Sequence, residues 1–170
     1  METNLDLNLP TQSRNFWGLL FGLFIFVMVL TIVKDWWLTA EEPNVLFYIF
    51  VPILTILGGV LSMVAAARIL KLSKSITFLT MLAISVGANT IMQVVENVLK
   101  ITYYLLMEYP GWLYILIVIP MGFVLMAFGL VKWGKVKVWK AILLTVFDFV
   151  GSMIIGIILT DLIGLTTPGS

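Results

Sequence analysis

Six polar residues recur about one helical turn apart within a single hydrophobic stretch, residues 76–107. They are Ser85, Asn89, Gln93, Glu96, Asn97 and Lys100. Because an α-helix turns by about 100° per residue, all of them fall inside an arc of about 120° and form one polar stripe. In a bilayer such a stripe must face protein or water. Its side chains are suited to binding a cation or proton, or to hydrogen bonding with a neighbouring helix.

A second polar face is predicted for the hydrophobic stretch 141–165. Thr145, Asp148, Ser152, Gly156 and Thr160 recur every three or four residues and also occupy an arc of about 120°. Asp148 lies about 8 residues into this stretch, or ~12 Å along a helix, which is too deep for its carboxylate to reach bulk water. It therefore needs a partner or a proton.

Two ion pairs are predicted within the hydrophobic part of the chain. Arg68, at the end of the second hydrophobic stretch, matches Asp148 in depth and is its most plausible partner, with Lys71 next. Glu96 and Lys100 lie four residues apart with the acid first, the favourable order on one helix face. Two interpretations stay open for the stripe: a set of structural contacts between helices, or the lining of a hydrated path.

The residue types also exclude several kinds of chemistry. The chain has no cysteine and no histidine, so thiol catalysis, Ser-His-Asp nucleophiles, haem ligation by imidazole and cysteine-ligated clusters are ruled out. The remaining acids of the hydrophobic stretches, Glu96, Asp148 and Asp161, lack the Glu-x-x-His pattern of di-iron bundles. Asp161, near the outer end of its stretch, is interpreted as an interfacial carboxylate. No metal, no cofactor, no nucleic-acid surface and no enzymatic activity is predicted.

Composition places the chain among membrane proteins. Hydrophobic residues make up 61% of the sequence, charged residues 11%, and the mean hydropathy is +1.11. We predict an all-α, polytopic bundle in a single transmembrane domain, residues 1–170, with five spans. The spans are residues 16–33, 45–70, 76–107, 112–131 and 141–165.

Small residues and prolines mark points within these spans. The pairs Gly18 with Gly22 and Ser152 with Gly156 have the small-xxx-small spacing that is common at helix contacts. Pro120 lies inside the fourth span, where it removes a backbone hydrogen bond and favours a kink.

The distribution of basic residues predicts the orientation. With the N-terminus cytoplasmic and the C-terminus outside, the cytoplasmic side holds Arg14, Arg68, Lys71, Lys74, Lys132, Lys135, Lys137 and Lys140. Lys34 is then the one basic residue in an outer loop, residues 34–44. A cleaved secretory signal is the alternative for the first span, but its leader has few basic residues and the apolar run is long. The plasma membrane is the expected location.

Three functions are compatible with these features to different degrees. The first is transport of a cation, proton or small solute through a polar path between spans 3 and 5, completed by copies of the chain. The second is a non-catalytic structural or regulatory subunit of a larger membrane complex. The third, a lipid-modifying enzyme, is disfavoured by the missing His and Cys. Transport predicts a polar cavity between spans 3 and 5, whereas a subunit predicts a stripe that faces outward toward lipid.

Overall fold

The computed structural model describes residues 14–39, 45–72, 76–106, 112 and 114–164, and in these ranges the chain is helical with short connections and no strand. The helices are α1 (Arg14–Thr39), α2 (Val45–Ile69), α3 (Phe78–Leu106), α4 (Ile119–Lys132) and α5 (Val138–Gly164). A π-helical segment, Tyr114–Val118, leads directly into α4. Helices α1, α2, α3 and α5 are long and apolar enough to cross a membrane, and the described part of the fourth apolar helix is shorter, Leu116–Lys132.

The structure differs from the predicted segments at two places. Helix α1 continues to Thr39, so Lys34 and Asp35 lie within a helix rather than in the predicted outer loop. The charge of Lys34 does not end the helix because the neighbouring Asp35 neutralises it, as described below. The fourth segment changes from π-helix to α-helix at Ile119, with Pro120 at the first turn of α4, where its missing N–H costs little.

Helices α2 and α5 pack most closely, through small residues. A Cβ atom at Gly151 of α5 would overlap the Ser62 side chain and the carbonyl oxygen of Gly58 on α2. Ser152 Oγ donates a hydrogen bond of 3.0 Å to the carbonyl oxygen of Thr55. Backbones that approach this closely gain packing energy that larger side chains would prevent. The contact positions the polar face of α5 against α2.

Helix α3 lies at the centre of the bundle and has the largest buried share of the four helices that are long and apolar enough to cross a membrane. It packs against α1, α2 and α4, and α4 in turn packs on α5. Gly122 and Gly129 of α4 face Met92 and Ile84 of α3 closely enough that a Cβ atom would overlap either side chain. The outer surfaces of the helices are apolar, with Leu19 among the most exposed side chains, as lipid contact requires.

Two helix ends, those of α2 and α4, are followed by a lysine in the left-handed conformation, Lys71 and Lys135. After α2, Leu72 N donates to Ala67 O at 2.7 Å, a bond across five residues that is typical of a Schellman helix end. After α4, Val136 N donates to Leu130 O at 3.2 Å, which spans six residues and closes a wider turn. A positive charge there also interacts favourably with the helix C-terminus.

Valine in place of glycine is predicted to destabilise the protein at Gly151 but not through such a contact at Gly22. Gly151→Val places two methyl groups against Ser62 and the α2 backbone, so we expect the free energy of unfolding to fall by about 2 kcal/mol. Gly22→Val is the matched control, because nothing described in the structure lies within 4 Å of a Cβ at Gly22. Thermal unfolding of both purified variants in the same detergent measures the difference. Equal melting temperatures would contradict the packing of α2 on α5.

Candidate functional site

Asp148 is the central residue of the candidate site. Its side chain on α5 is only 5% exposed. Ser85 Oγ of α3 donates a hydrogen bond to Asp148 Oδ1 at 3.4 Å. On the other side the α2 backbone passes close by, because a Cβ atom at Gly59 would overlap both the Asp148 carboxylate and the Ser152 hydroxyl. Three helices therefore converge on one buried carboxylate, and the absence of a side chain at Gly59 makes the space for it.

A cavity of about 230 Å³ opens beside this carboxylate. Its polar lining consists of Thr55 from α2, Asn89 from α3, and Thr145, Asp148 and Ser152 from α5. The residues that α4 contributes, Ile119, Gly122, Phe123 and Met126, are all apolar. The cavity thus lies between α3 and α5, with α2 on its polar side and α4 on its apolar side.

The polar groups around the cavity mainly present acceptors to it. Thr55 and Thr145 hydroxyls and the Asn89 amide NH₂ each donate to the backbone carbonyl four residues earlier in their own helix, at 2.9, 3.0 and 2.9 Å. The Ser152 hydroxyl donates to a carbonyl of α2. Because the hydroxyl hydrogens are engaged with the backbone, the hydroxyl oxygens remain as acceptors, while Asn89 keeps its Oδ1 acceptor and its second N–H donor. Together with Asp148 they form an acceptor-rich site for a cation or another hydrogen-bond donor.

The polar stripe of α3 is divided between two neighbours. Ser85 and Asn89, in its first half, join Asp148 and Ser152 at the cavity. Asn97, in its second half, faces α1. Glu96 and Lys100 form the predicted ion pair at 2.7 Å, with side chains 25% and 33% exposed. The six residues of the stripe are therefore not all brought together with Asp148 and Ser152 at one place.

Gln93 lies between the two halves of the stripe. Its Oε1 atom is buried and has no hydrogen-bond partner in the described part of the chain. Buried acceptors in folded proteins are nearly always paired with protein or water, so an unpaired one indicates a place for water or a ligand. Gln93 lies one turn, or about 6 Å, beyond Asn89 along α3.

A second polar cluster, not predicted from the sequence as a site, fastens α1 to α3. Lys34 Nζ donates to Asn97 Oδ1 at 2.9 Å and forms an ion pair with Asp35 at 2.8 Å. Asn97 Nδ2 donates to Thr31 Oγ1 at 2.8 Å. Lys34 is only 6% exposed although the sequence placed it in a loop. In the sequence, the spacing of Thr31, Lys34 and Asp35 places all three on one helix face, and this pattern indicates a polar contact there.

The predicted ion pair between Arg68 and Asp148 is not formed. Arg68 is exposed, and Asp148 is buried with Ser85 as its hydrogen-bond partner. Asp148 packs level with Gly59, and Arg68 lies nine residues farther along α2, about 13 Å by helical rise. Counting residues from the ends of the predicted spans places Arg68 and Asp148 at the same depth, and it does not show this separation along the helix axis. Asp161 is exposed, in agreement with its interpretation as an interfacial carboxylate.

Among the described residues, no group of three or more His, Cys, Asp or Glu side chains is arranged to hold a metal ion.

The predicted helix contact at Gly18 and Gly22 of α1 is not observed. Nothing described lies within 4 Å of a Cβ at either glycine, so this pair makes no close helix contact in the described chain. Ser152 and Gly156 do face α2, near Thr55.

The Lys34 cluster predicts a stability effect that is separate from the cavity. Lys34→Met removes the ammonium group and leaves Asn97 Oδ1 and the Asp35 carboxylate without this donor, so we expect a loss of about 2 kcal/mol in the free energy of unfolding. Lys137→Met, at an exposed lysine, is the control and should change it by less than about 0.5 kcal/mol. Unfolding in mixed detergent micelles measures both. A similar stability for the two variants would show that the cluster does not hold α1.

Comparison of the chain with protein families, with curated proteins and with solved structures finds no match. A functional interpretation therefore rests on the residues of the site. These are a buried carboxylate, a set of hydroxyl and amide acceptors and a cavity between α3 and α5.

Proposed function

We propose that the protein transports a small cation, proton or small solute across a membrane, with Asp148 as the carboxylate that binds it. The observation that carries this proposal is the cavity between α3 and α5, into which the Asp148 carboxylate and several acceptor groups face. Ionisable residues inside membrane bundles commonly mark such pathways.

The charge of the site supports a cationic cargo. An ionised carboxylate in an apolar bundle is costly unless a positive charge or a proton neutralises it. The two described ion pairs join Lys34 to Asp35 and Lys100 to Glu96, and neither includes Asp148. A cargo that brings a positive charge to Asp148 removes this cost, and a cargo with hydrogen-bond donors also fits the acceptors around it.

Gln93 is the candidate for the next polar group on a path that leads out of the cavity. Gln93 follows Asn89 by one turn of α3, and its buried Oε1 atom has no hydrogen-bond partner among the residues that the structure describes. An acceptor at this position is available to a cation or to water that leaves the cavity toward the second half of α3. The Lys34 cluster lies one further turn along the helix, at Asn97. We assign this cluster a structural role, because its groups are hydrogen-bonded to one another.

We also propose a topology of five spans with a cytoplasmic N-terminus, an outer C-terminus and residence in the plasma membrane. Lys71, Lys132, Lys135 and Lys137 lie in or near the two connections on one side of the bundle, which supports a cytoplasmic side by the positive-inside rule. Leu116–Lys132 rises about 25 Å, slightly less than an average hydrocarbon core. In this proposal the apolar residues before Leu116 complete the span.

The alternative function, a non-catalytic subunit of a membrane complex, rests on one observation. Glu96 and Lys100 are 25% and 33% exposed on a helix whose neighbouring side chains Val98 and Ile101 are exposed and apolar. A partner helix would cover this pair. Copies of the same chain in a homo-oligomer are an equivalent source of such a helix.

Transport predicts a selective effect of the buried carboxylate. Asp148→Asn keeps the shape of the side chain but removes its charge, so we expect protein-dependent cation or proton flux into liposomes to fall at least about 10-fold. Asp161→Asn, at an exposed carboxylate of the same helix, should retain the flux. A pH-sensitive dye inside the vesicles and a potential-sensitive dye measure it. Unchanged flux in Asp148→Asn, with a folded protein, would contradict the proposal.

The topology predicts which single cysteines are accessible from outside. Because the chain has no cysteine, each introduced thiol is the one labelling site, and the wild type is the unlabelled control. We expect a membrane-impermeant maleimide to label Ser170→Cys on intact cells and Lys137→Cys only after permeabilisation. Labelling of both on intact cells, or the reverse order, would overturn the proposed orientation.

A further inference from the structure

The cavity beside Asp148 has a polar side and an apolar side, and each side comes from different helices. Helices α2, α3 and α5 supply the carboxylate, hydroxyl and amide groups. Helix α4 supplies Ile119, Phe123 and Met126, and no polar side chain. Phe149 and Met153 of α5 extend the apolar lining. A ligand that fits both sides must be cationic at one end and apolar at the other.

We propose, on the basis of the proposed transport function, that the cargo is a small organic ammonium ion with a compact apolar group. An alkylammonium head carries three N–H donors and no acceptor, like the lysine side chain. The polar side of the cavity offers the complement: the Asp148 carboxylate, the Asn89 amide oxygen and hydroxyl oxygens whose hydrogens are bound to the backbone. Charge-assisted hydrogen bonds of this kind are stronger than neutral ones.

The apolar side is suited to the body of such an ion. The Phe123 and Phe149 rings lie 5.5 Å apart between centroids, with an angle of 60° between their planes. Aromatic faces attract organic cations and also pack against alkyl or aryl groups. The volume is sufficient, because cavities of about 150 Å³ already accept benzene and this one has about 230 Å³.

Two simpler cargoes match only half of this lining. A metal ion of the alkali series would use the oxygen atoms but leave water against the apolar residues of α4, where it has few hydrogen-bond partners. A proton would use Asp148 and would need no cavity bounded by Phe123, Met126 and Phe149. An ammonium ion with an apolar group uses both sides, and it displaces water from the apolar one.

Isothermal titration of the full-length protein in detergent tests the proposal, with benzylammonium as the probe. Benzyl alcohol is the neutral control of the same shape, and sodium chloride is the alkali control. We expect benzylammonium to bind at least about 30-fold more tightly than benzyl alcohol, because removing one partner of a buried charged contact has an effect of this size. Sodium chloride should not compete with benzylammonium when it is compared with magnesium chloride at the same ionic strength.

Two variants connect the binding to the two sides of the cavity. Asp148→Asn should weaken benzylammonium at least about 30-fold, while Asp161→Asn leaves it unchanged. Phe123→Leu should weaken benzylammonium about 3-fold or more and leave methylammonium, which lacks the ring, unaffected. Phe123→Leu is a mild substitution, so it keeps the proposal testable if Asp148→Asn does not fold.

The outcomes separate this inference from the transport function. Asp148-dependent binding of sodium without binding of benzylammonium would overturn the inference and leave cation transport intact. Benzylammonium affinity that is equal in the wild type and Asp148→Asn would also overturn it. Asp148-dependent benzylammonium binding together with no flux of any cation in liposomes would support the site and refute transport.

Discussion

The burial of one carboxylate constrains the arrangement of the bundle around α5. Asp148 lies within a helix whose outer surface is apolar, and its charge cannot be solvated by lipid. The protein provides instead a hydroxyl from Ser85, a glycine at position 59 that leaves room for the carboxylate, and a cavity on the remaining side. The hydroxyl comes from α3, the glycine from α2, and residues of four helices line the cavity. Their positions along α2 and α3 are therefore coupled to the position of Asp148 on α5.

Two contacts hold the helices in these positions, and they differ in kind. Between α2 and α5 the contact depends on close backbone approach at Gly58, Gly59 and Gly151, together with the hydrogen bond from Ser152 to a carbonyl of α2. Between α1 and α3 it depends on Lys34 and Asn97. Polar contacts between helices in a membrane add about 1 kcal/mol each, and close packing of small residues adds dispersion energy. Helix α3 connects the two arrangements because Ser85 and Asn97 lie on the same stripe.

The sequence predicts the polar faces well and their neighbours poorly. Periodicity placed Ser85 and Asn89 on one face of α3, and Asp148 and Ser152 on one face of α5, and the structure brings these faces to one cavity. It did not reveal that Asn97 faces α1, because a spacing of three or four residues fixes a face but not the helix it meets. The sequence predicts a loop at Lys34, since charge usually ends a hydrophobic segment. The adjacent Asp35 neutralises the lysine, and the hydrogen bond from its ammonium to Asn97 of α3 is a tertiary contact that residue spacing does not show.

Helix α4 differs from the other helices in the way it is held. In the described part of the chain, its contacts to α3 and α5 are packing contacts: Gly122 against Met92, Gly129 against Ile84, and Phe123 against Phe149. Lipid chains are as apolar as these side chains, so the association of α4 with its neighbours depends on how closely the helices pack. Among the described residues, the cavity is therefore bounded on three sides by helices with polar contacts and on the fourth by a helix held through packing. The side of the cavity held through packing is the side formed by α4, which is also the side whose lining is apolar.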